Sequence, residues 1–187
     1  MVSLLSLWPP ILLSAVIVFV VSSIIHMLLP YHRSDWKGLA KQDEVQEALR
    51  PFEIPPGDYF LPHCADFKDR DSPEFKEKWE KGPVMLLTVM ANGMPKMAGS
   101  LVLWFLYSIL VSFCSAYIAS RALGEGAHQY LSVFRFVGAS AFMGYSLALL
   151  QGSIWYKRSW SATLKSMVDG LVYAALTAGT FGWLWPA

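Results

Sequence analysis

The chain has 187 residues, of which 55% are hydrophobic and only 16% are charged. A soluble domain usually carries about 25% charged residues, so this composition is typical of a protein partly embedded in lipid. The net charge is +1, and no basic stripe with interleaved aromatics is present, which argues against nucleic-acid binding. Residues 30–97 hold ten of the 15 Lys/Arg and 12 of the 14 Asp/Glu. We therefore expect these residues to form a water-exposed insert.

Four apolar runs are long enough to cross a bilayer as helices, which takes about 20 residues each. They are residues 4–29, 98–120, 131–155 and 162–186. No basic residue precedes the first run, and it is too long for a signal-peptide core, so we predict a retained anchor. The fourth run is the weakest because Lys165 and Asp169 lie near its start. The sequence predicts an all-α, four-helix transmembrane bundle with residues 30–97 inserted between the first two spans.

The distribution of Lys and Arg predicts the orientation, because cytoplasmic segments of membrane proteins are enriched in these residues. Residues 30–97 and the 156–161 connection lie on the same side of a four-span protein and carry most of the positive charge. We expect the insert in the cytoplasm, both termini outside, and the chain in the inner, or plasma, membrane. A basic and aromatic rim should contact the lipid headgroups there. Its members are Arg33, Trp36, Trp155, Lys157, Arg158 and Trp160.

The insert is predicted to contain two short helices. Residues 43–50 place Val45, Ala48 and Leu49 on one face, and Ser72 followed by Pro73 is typical of a helix start. The run 84–90 is apolar and short. It is expected either to pair as a strand with residues 58–62, forming a small hairpin, or to lie on the membrane surface. The strand is the favoured reading.

Small residues recur at every fourth position in three of the predicted spans. This spacing places them on one helix face, where they permit the close backbone approach that packs helices in lipid. We predict that these stripes face the inside of the bundle; the alternative is that one of them forms a contact between copies of the chain. The stripes comprise Ser108, Ser112, Ala116 and Ser120; Ser140, Gly144, Ala148 and Gly152; and Gly170, Ala174, Ala178 and Gly182.

The best metal-binding candidate in the sequence is His63, Cys64 and Asp66, together with His32. These residue types are metal ligands, although the paired spacing of a firm site is missing. The alternative is a loop with a buried cysteine and hydrogen-bonded His and Asp side chains. No cofactor is predicted, and the sequence contains no nucleotide-binding, zinc-protease or nucleophile-elbow motif.

Other polar residues near the spans have ordinary interpretations. His26 and His128 are expected near opposite membrane faces, which disfavours a haem iron ligated by both. His26 is interpreted as an interfacial residue that donates to backbone or lipid phosphate. Lys165 and Asp169 are four residues apart and can pair on one helix face.

Three segments resemble small bacterial multi-span membrane proteins of uncharacterised function. They are His26–Trp36, Ile54–Tyr59 and the C-terminal region from Ser161 to Pro186. The resemblance covers most of the chain. It implies a bacterial membrane protein and brings no activity, ligand or site residue with it.

Three functions stay open at this point. The first is a non-catalytic accessory or scaffolding subunit that presents a small cytoplasmic module, with the bilayer and other membrane subunits, or further copies of itself, as partners. The second is a homo-oligomeric channel or small-molecule exporter lined by Ser, Thr and Tyr. The third is a metal or redox enzyme that uses the His63, Cys64 and Asp66 loop.

Overall fold

The computed structural model describes residues 2–123 and 130–186. The chain divides into two compact units, one made of Met1–Lys37 with Lys96–Ala187 and the other of Gly38–Pro95. The first unit contains four helices long and apolar enough to cross a membrane. This is the pattern of a multi-pass membrane protein.

The helices and strands follow one another as α1 (Trp8–Met27), α2 (Gln42–Leu49), β1 (Gly57–Leu61), α3 (Pro73–Lys81), β2 (Met85–Val89), α4 (Met97–Ala122), α5 (Tyr130–Phe142), α6 (Leu149–Tyr156) and α7 (Trp160–Leu184). A 3₁₀ turn, Leu4–Leu7, precedes α1, and a π-helical turn, Met143–Leu147, joins α5 to α6. The four spans are therefore Leu4–Met27, Met97–Ala122, Tyr130–Tyr156 and Trp160–Leu184. These bounds lie close to the predicted runs, within the usual uncertainty of helix ends.

The interior of the four-span unit contains two clusters of apolar side chains, and buried Ser and Thr residues lie among the helices. One cluster is centred on Leu7, Val133 and Phe181, and the other on Val18 and Tyr173. Large apolar side chains also cover the outside, where water would penalise them and lipid would not. Examples with more than half of their surface exposed are Leu103, Leu106, Leu110 and Leu171.

The small-residue stripes have different outcomes in the three spans. In α4, Ser108, Ser112, Ala116 and Ser120 are buried, and in α7 Gly170, Ala174 and Ala178 are buried. The third span differs, because Gly144 and Ala148 are exposed and Val133, Val137 and Ala141 face inward instead. These buried residues and Tyr145 of the π-helical turn also repeat every four residues, one position later than the predicted stripe, so the predicted period is present in a different register. Gly144 still lies beside α4, since a Cβ there would meet Val111 Cγ1 at 3.0 Å.

The second unit confirms the predicted elements of the insert. Strands β1 and β2 pair antiparallel, with Gly57 opposite Val89 and Leu61 opposite Met85. The Ser72 side chain accepts a hydrogen bond from the backbone N–H of Phe75 and caps α3. None of residues 38–95 is fully buried, so this unit has little core of its own.

Candidate metal centre

The segment after α1 brings a second histidine onto the first. Pro30–Ser34 forms a 3₁₀ turn that begins with a proline, the residue preorganised for the first helical position. The His32 ring then stacks on the His26 ring, with centroids 4.4 Å apart and the planes inclined by 28°. Tyr173 of α7 lies beside this pair, its Oη 3.4 Å from His26 Nε2. His26 itself is exposed, and it contacts His32 of the turn after α1 and Tyr173 of α7.

Asp169 is a buried carboxylate within the fourth span. Only 3% of its surface is exposed, and an ionisable group in such a position is a candidate functional residue by default. Tyr31 Oη donates to Asp169 Oδ1, and Asp169 Oδ2 lies 2.8 Å from His32 Nε2. Both partners come from the turn after α1, so the carboxylate joins this turn to α7.

His32 lies between two carboxylates. Its Nε2 faces Asp169, and its Nδ1 is 2.6 Å from Asp35 Oδ2. A neutral imidazole carries one N–H and one lone pair. If Nδ1–H donates to Asp35, then Nε2 keeps a lone pair directed at the Asp169 side. If both carboxylates are ionised and nothing else binds, both ring nitrogens donate and His32 is a cation. The first state is the one that can ligate a metal ion.

Lys165 neutralises the carboxylate of Asp35. Its Nζ donates to Asp35 Oδ1 at 2.8 Å, to Ser34 Oγ at 2.8 Å and to the Tyr31 carbonyl at 2.6 Å. The hydrogen bond from His32, followed by that from Lys165, holds the pKa of Asp35 below its ordinary value. The pairing of Lys165 with Asp169 that their spacing allows is therefore not the one found, since Asp169 bonds to Tyr31 and His32 instead. Tertiary partners on the turn after α1 replace the local partner four residues away, because they satisfy a buried carboxylate and a lysine at the same time.

Three metal-donor side chains converge in this cluster. His26, His32 and Asp169 each offer one ligand atom, and these atoms lie within 4.8 Å of one another. Two imidazoles and one carboxylate suit Zn²⁺ or Fe²⁺ and leave coordination positions open, as catalytic sites do. Metal-bound histidines commonly donate their second N–H to a carboxylate, which fixes the ring and its tautomer. Asp35 has that position behind His32.

A cavity of about 480 Å³ opens beside the cluster. His26, His32 and Asp35 form part of its lining, and Arg158, Ser159 and Thr163 form another part. This volume lies within the range of roughly 300–1,000 Å³ that is usual for small-molecule sites. A metal ion held by the three donors would therefore have room for a further ligand.

The residues that the sequence favoured as a metal site, His63, Cys64 and Asp66, do not form a group of three converging donors in the structure. Cys64 Sγ donates to the Asp66 carbonyl at 2.9 Å, and the Asp66 side chain accepts from the backbone N–H of Lys68 at 3.0 Å. Within residues 2–123 and 130–186, the only group of three donors within 4.8 Å of one another is the one around His32. His63, Cys64 and Asp66 therefore belong to a loop that is not such a group of donors, and His32 lies in the cluster with His26 and Asp169. His128 lies outside the described residues.

The predicted interfacial rim contributes two residues to the cavity wall. Trp36, Trp155 and Trp160 expose 81%, 74% and 52% of their surface, as a headgroup rim would. The Arg158 guanidinium lies 5.9 Å from the centroid of the Trp36 ring. Arg158 and Trp36 also line the cavity, a role that the sequence did not indicate.

No protein-family model, curated protein or solved structure matches this chain. The chemistry of the centre is therefore inferred from its own donors. Two imidazoles, a buried carboxylate, an orienting carboxylate behind one imidazole and an adjacent cavity together form a site that can hold a divalent metal ion and a further ligand.

Proposed function

We propose that this multi-pass membrane protein is a metalloprotein that binds one divalent transition-metal ion, with Zn²⁺ the best fit, through His26, His32 and Asp169. The observation that carries the proposal is the convergence of these three donors within 4.8 Å. The hydrogen bond from His32 Nδ1 to Asp35 supports it further, because it directs the other ring nitrogen toward the centre.

The centre has the composition of a catalytic metal site. Structural zinc sites have four protein ligands, whereas catalytic ones have three and keep a position for water or substrate. A metal ion held by these three residues would acidify a water bound at its open coordination position or polarise a substrate oxygen bound there. Asp35 and Lys165 form a salt bridge at 2.8 Å and cancel each other's charge, so the bound ion and Asp169 would together leave the centre with about one positive charge.

Metal analysis of the purified protein tests the proposal. The protein is purified in dodecyl maltoside, freed of bound metal with a chelator and reloaded with Zn²⁺ or Co²⁺. Its metal content is then measured by inductively coupled plasma mass spectrometry. We expect one metal ion per chain. H26A, H32A and D169N should each weaken binding by more than about 100-fold, because each removes a first-sphere donor and second-sphere changes alone cost about 10–100-fold.

The matched control is a variant of the loop that the sequence favoured. H63A combined with C64S removes two donor groups from the second unit and should leave metal binding unchanged. Stoichiometric metal in H32A, or no metal in the reloaded wild type, would refute the proposed centre. Loss of metal in the loop variant alone would return the site to His63 and Cys64.

The orientation predicted from the charges forms part of this proposal. His32 follows directly after α1, so in this proposal the metal centre is at the membrane face from which residues 30–97 emerge. The positive-inside rule places that face toward the cytoplasm and both termini outside. The orientation is measured with single cysteines introduced at residue 3 or residue 69 and a membrane-impermeant thiol reagent applied to intact cells. We expect the reagent to label residue 3 and not residue 69. Labelling of residue 69 without residue 3 would contradict the proposed orientation.

A second candidate function is the accessory or scaffolding subunit. It is supported by the second unit, which has no fully buried residue and leaves Phe52, Phe67, Met90 and Met94 more than 70% exposed. Exposed apolar patches of this kind are typical of interaction surfaces. Purification in mild detergent as a monomer without any associated protein would count against this role and would not affect the metal centre.

A further inference from the structure

Arg158 has a defined place in the cavity wall. Its backbone N–H donates to the Gly152 carbonyl at 3.2 Å, which closes the turn between α6 and α7. Its side chain then passes over Gly152, where a Cβ would meet Arg158 Cδ at 3.2 Å. The guanidinium lies beside the Trp36 ring. Over the two described ranges of the chain, no acidic side chain forms a salt bridge with Arg158.

The first turn of α7 faces the same cavity. Ser159 is the N-cap of this helix, and its side chain makes no capping hydrogen bond. Ser159, Ala162 and Thr163 all line the cavity. The first backbone N–H groups of a helix carry partial positive charge and have no partner within the helix, so this wall favours an anion.

The charges around the cavity have one sign once the metal site is occupied. Asp35 is the carboxylate in the lining, and it is already paired with His32 and Lys165. A divalent ion with Asp169 would leave one positive charge beside the wall that His26 and His32 form, and Arg158 adds another on the wall that it forms with the first turn of α7. A ligand that fills the cavity and joins the two walls should therefore be an oxyanion with at least two free oxygens.

From these observations we infer that the cavity binds a phosphate group, with one oxygen on the metal ion and others on the Arg158 guanidinium and the first turn of α7. The inference rests on the proposed metal centre. Arginine matches phosphate because its planar fork donates two parallel hydrogen bonds. A phosphate monoester of a lipid and free inorganic phosphate present the same chemistry, and the cavity volume of about 480 Å³ has room for either.

A phosphate titration of the Co²⁺-loaded protein tests the inference. The protein is kept in dodecyl maltoside, which contains no phosphate, and the visible absorption of Co²⁺ reports a new ligand. One arm uses inorganic phosphate. The other uses dihexanoyl phosphatidic acid, with dihexanoylglycerol as the control that lacks the phosphate. We expect a saturable spectral change at one phosphate per Co²⁺ in at least one arm, and none with dihexanoylglycerol.

The R158Q variant tests the cavity wall. It should load one Co²⁺ per chain, because Arg158 is not a metal donor. It should bind the phosphate probe at least about tenfold more weakly, since Gln has neither the charge nor the paired donors of the guanidinium. The matched control is K157Q, which alters the neighbouring cation. Lys157 Nζ donates to the Ile154 carbonyl at 3.2 Å, and this residue does not line the cavity.

Each outcome supports or overturns the inference. A response to phosphatidic acid alone identifies a lipid headgroup, and a response to inorganic phosphate identifies a soluble ligand; both support a phosphate site. Co²⁺ binding without any phosphate response, or equal phosphate affinity in R158Q and wild type, overturns the inference and leaves the metal centre standing. Failure to bind Co²⁺, which is seen before phosphate is added, overturns both.

Discussion

Replacement of Asp35 by Asn should weaken metal binding although Asp35 is not a proposed ligand. Asp35 Oδ2 lies 2.6 Å from His32 Nδ1, and Oδ1 lies 2.8 Å from Lys165 Nζ. Asn keeps the shape of the side chain, but it has one acceptor oxygen and no charge. It can therefore accept one of these two hydrogen bonds, and its NH₂ group faces the other donor.

The expected loss follows from the role of this contact. Removing a partner of a metal-bound histidine costs about 10–100-fold in metal affinity, which corresponds to about 1.4–2.8 kcal/mol at 1.4 kcal/mol per tenfold. A charge-assisted hydrogen bond of this length is worth a similar amount, about 1.5–3 kcal/mol. We expect D35N to retain one metal per chain at saturation and to bind Zn²⁺ about 10–100-fold more weakly.

Competition with a chromophoric zinc chelator in dodecyl maltoside measures the affinity. The matched control is D58N, since Asp58 also accepts a short hydrogen bond, 2.6 Å from Thr88 Oγ1, but lies in the second unit. D58N should bind Zn²⁺ like wild type. If D35N binds Zn²⁺ within twofold of the wild-type affinity while D169N does not bind Zn²⁺, then Asp35 does not orient His32 and this role of Asp35 is refuted.

Two further predictions concern the packing around the centre. G170A should lower the free energy of unfolding in detergent by about 1–3 kcal/mol, because the added Cβ would collide with Ser146 Oγ. The control is G179A, whose added Cβ meets nothing closer than 3.6 Å and which should keep the wild-type stability. Equal stability of the two variants would contradict the close approach of α7 to the π-helical turn. K165M leaves Asp35 and the Tyr31 carbonyl without their lysine partner. Amide hydrogen exchange in residues 30–36 should therefore become faster, while exchange in α4 should not change. Unchanged exchange in residues 30–36 would show that Lys165 does not hold this turn.

The sequence predicted the elements of the fold more completely than the site. Apolar length predicted the four helices, and the Ser72-Pro73 pair predicted the start of α3. These signals are local, because each depends on residues a few positions apart. The choice of the strand over a surface segment for residues 84–90 was also correct, since β2 pairs with β1.

The candidate site was missed for a physical reason. His32 and Asp169 are 137 positions apart, and their hydrogen bond depends on α1 and α7 packing side by side. In the sequence, Asp169 has a nearby lysine and His32 has nearby polar residues, so each has a local explanation. One signal was present: a lone carboxylate within an apolar span, which needs a partner because burying an unpaired charge is costly.

The sequence by itself determined that four segments prefer lipid and that residues 30–97 prefer water, since hydrophobicity and charge are properties of each segment alone. Only the tertiary structure decided which polar groups meet, namely His26 with His32, His32 with Asp169 and Lys165 with Asp35. Such contacts depend on helix rotation and on the path of the turn after α1. Both are set by packing between distant parts of the chain, which no local pattern encodes.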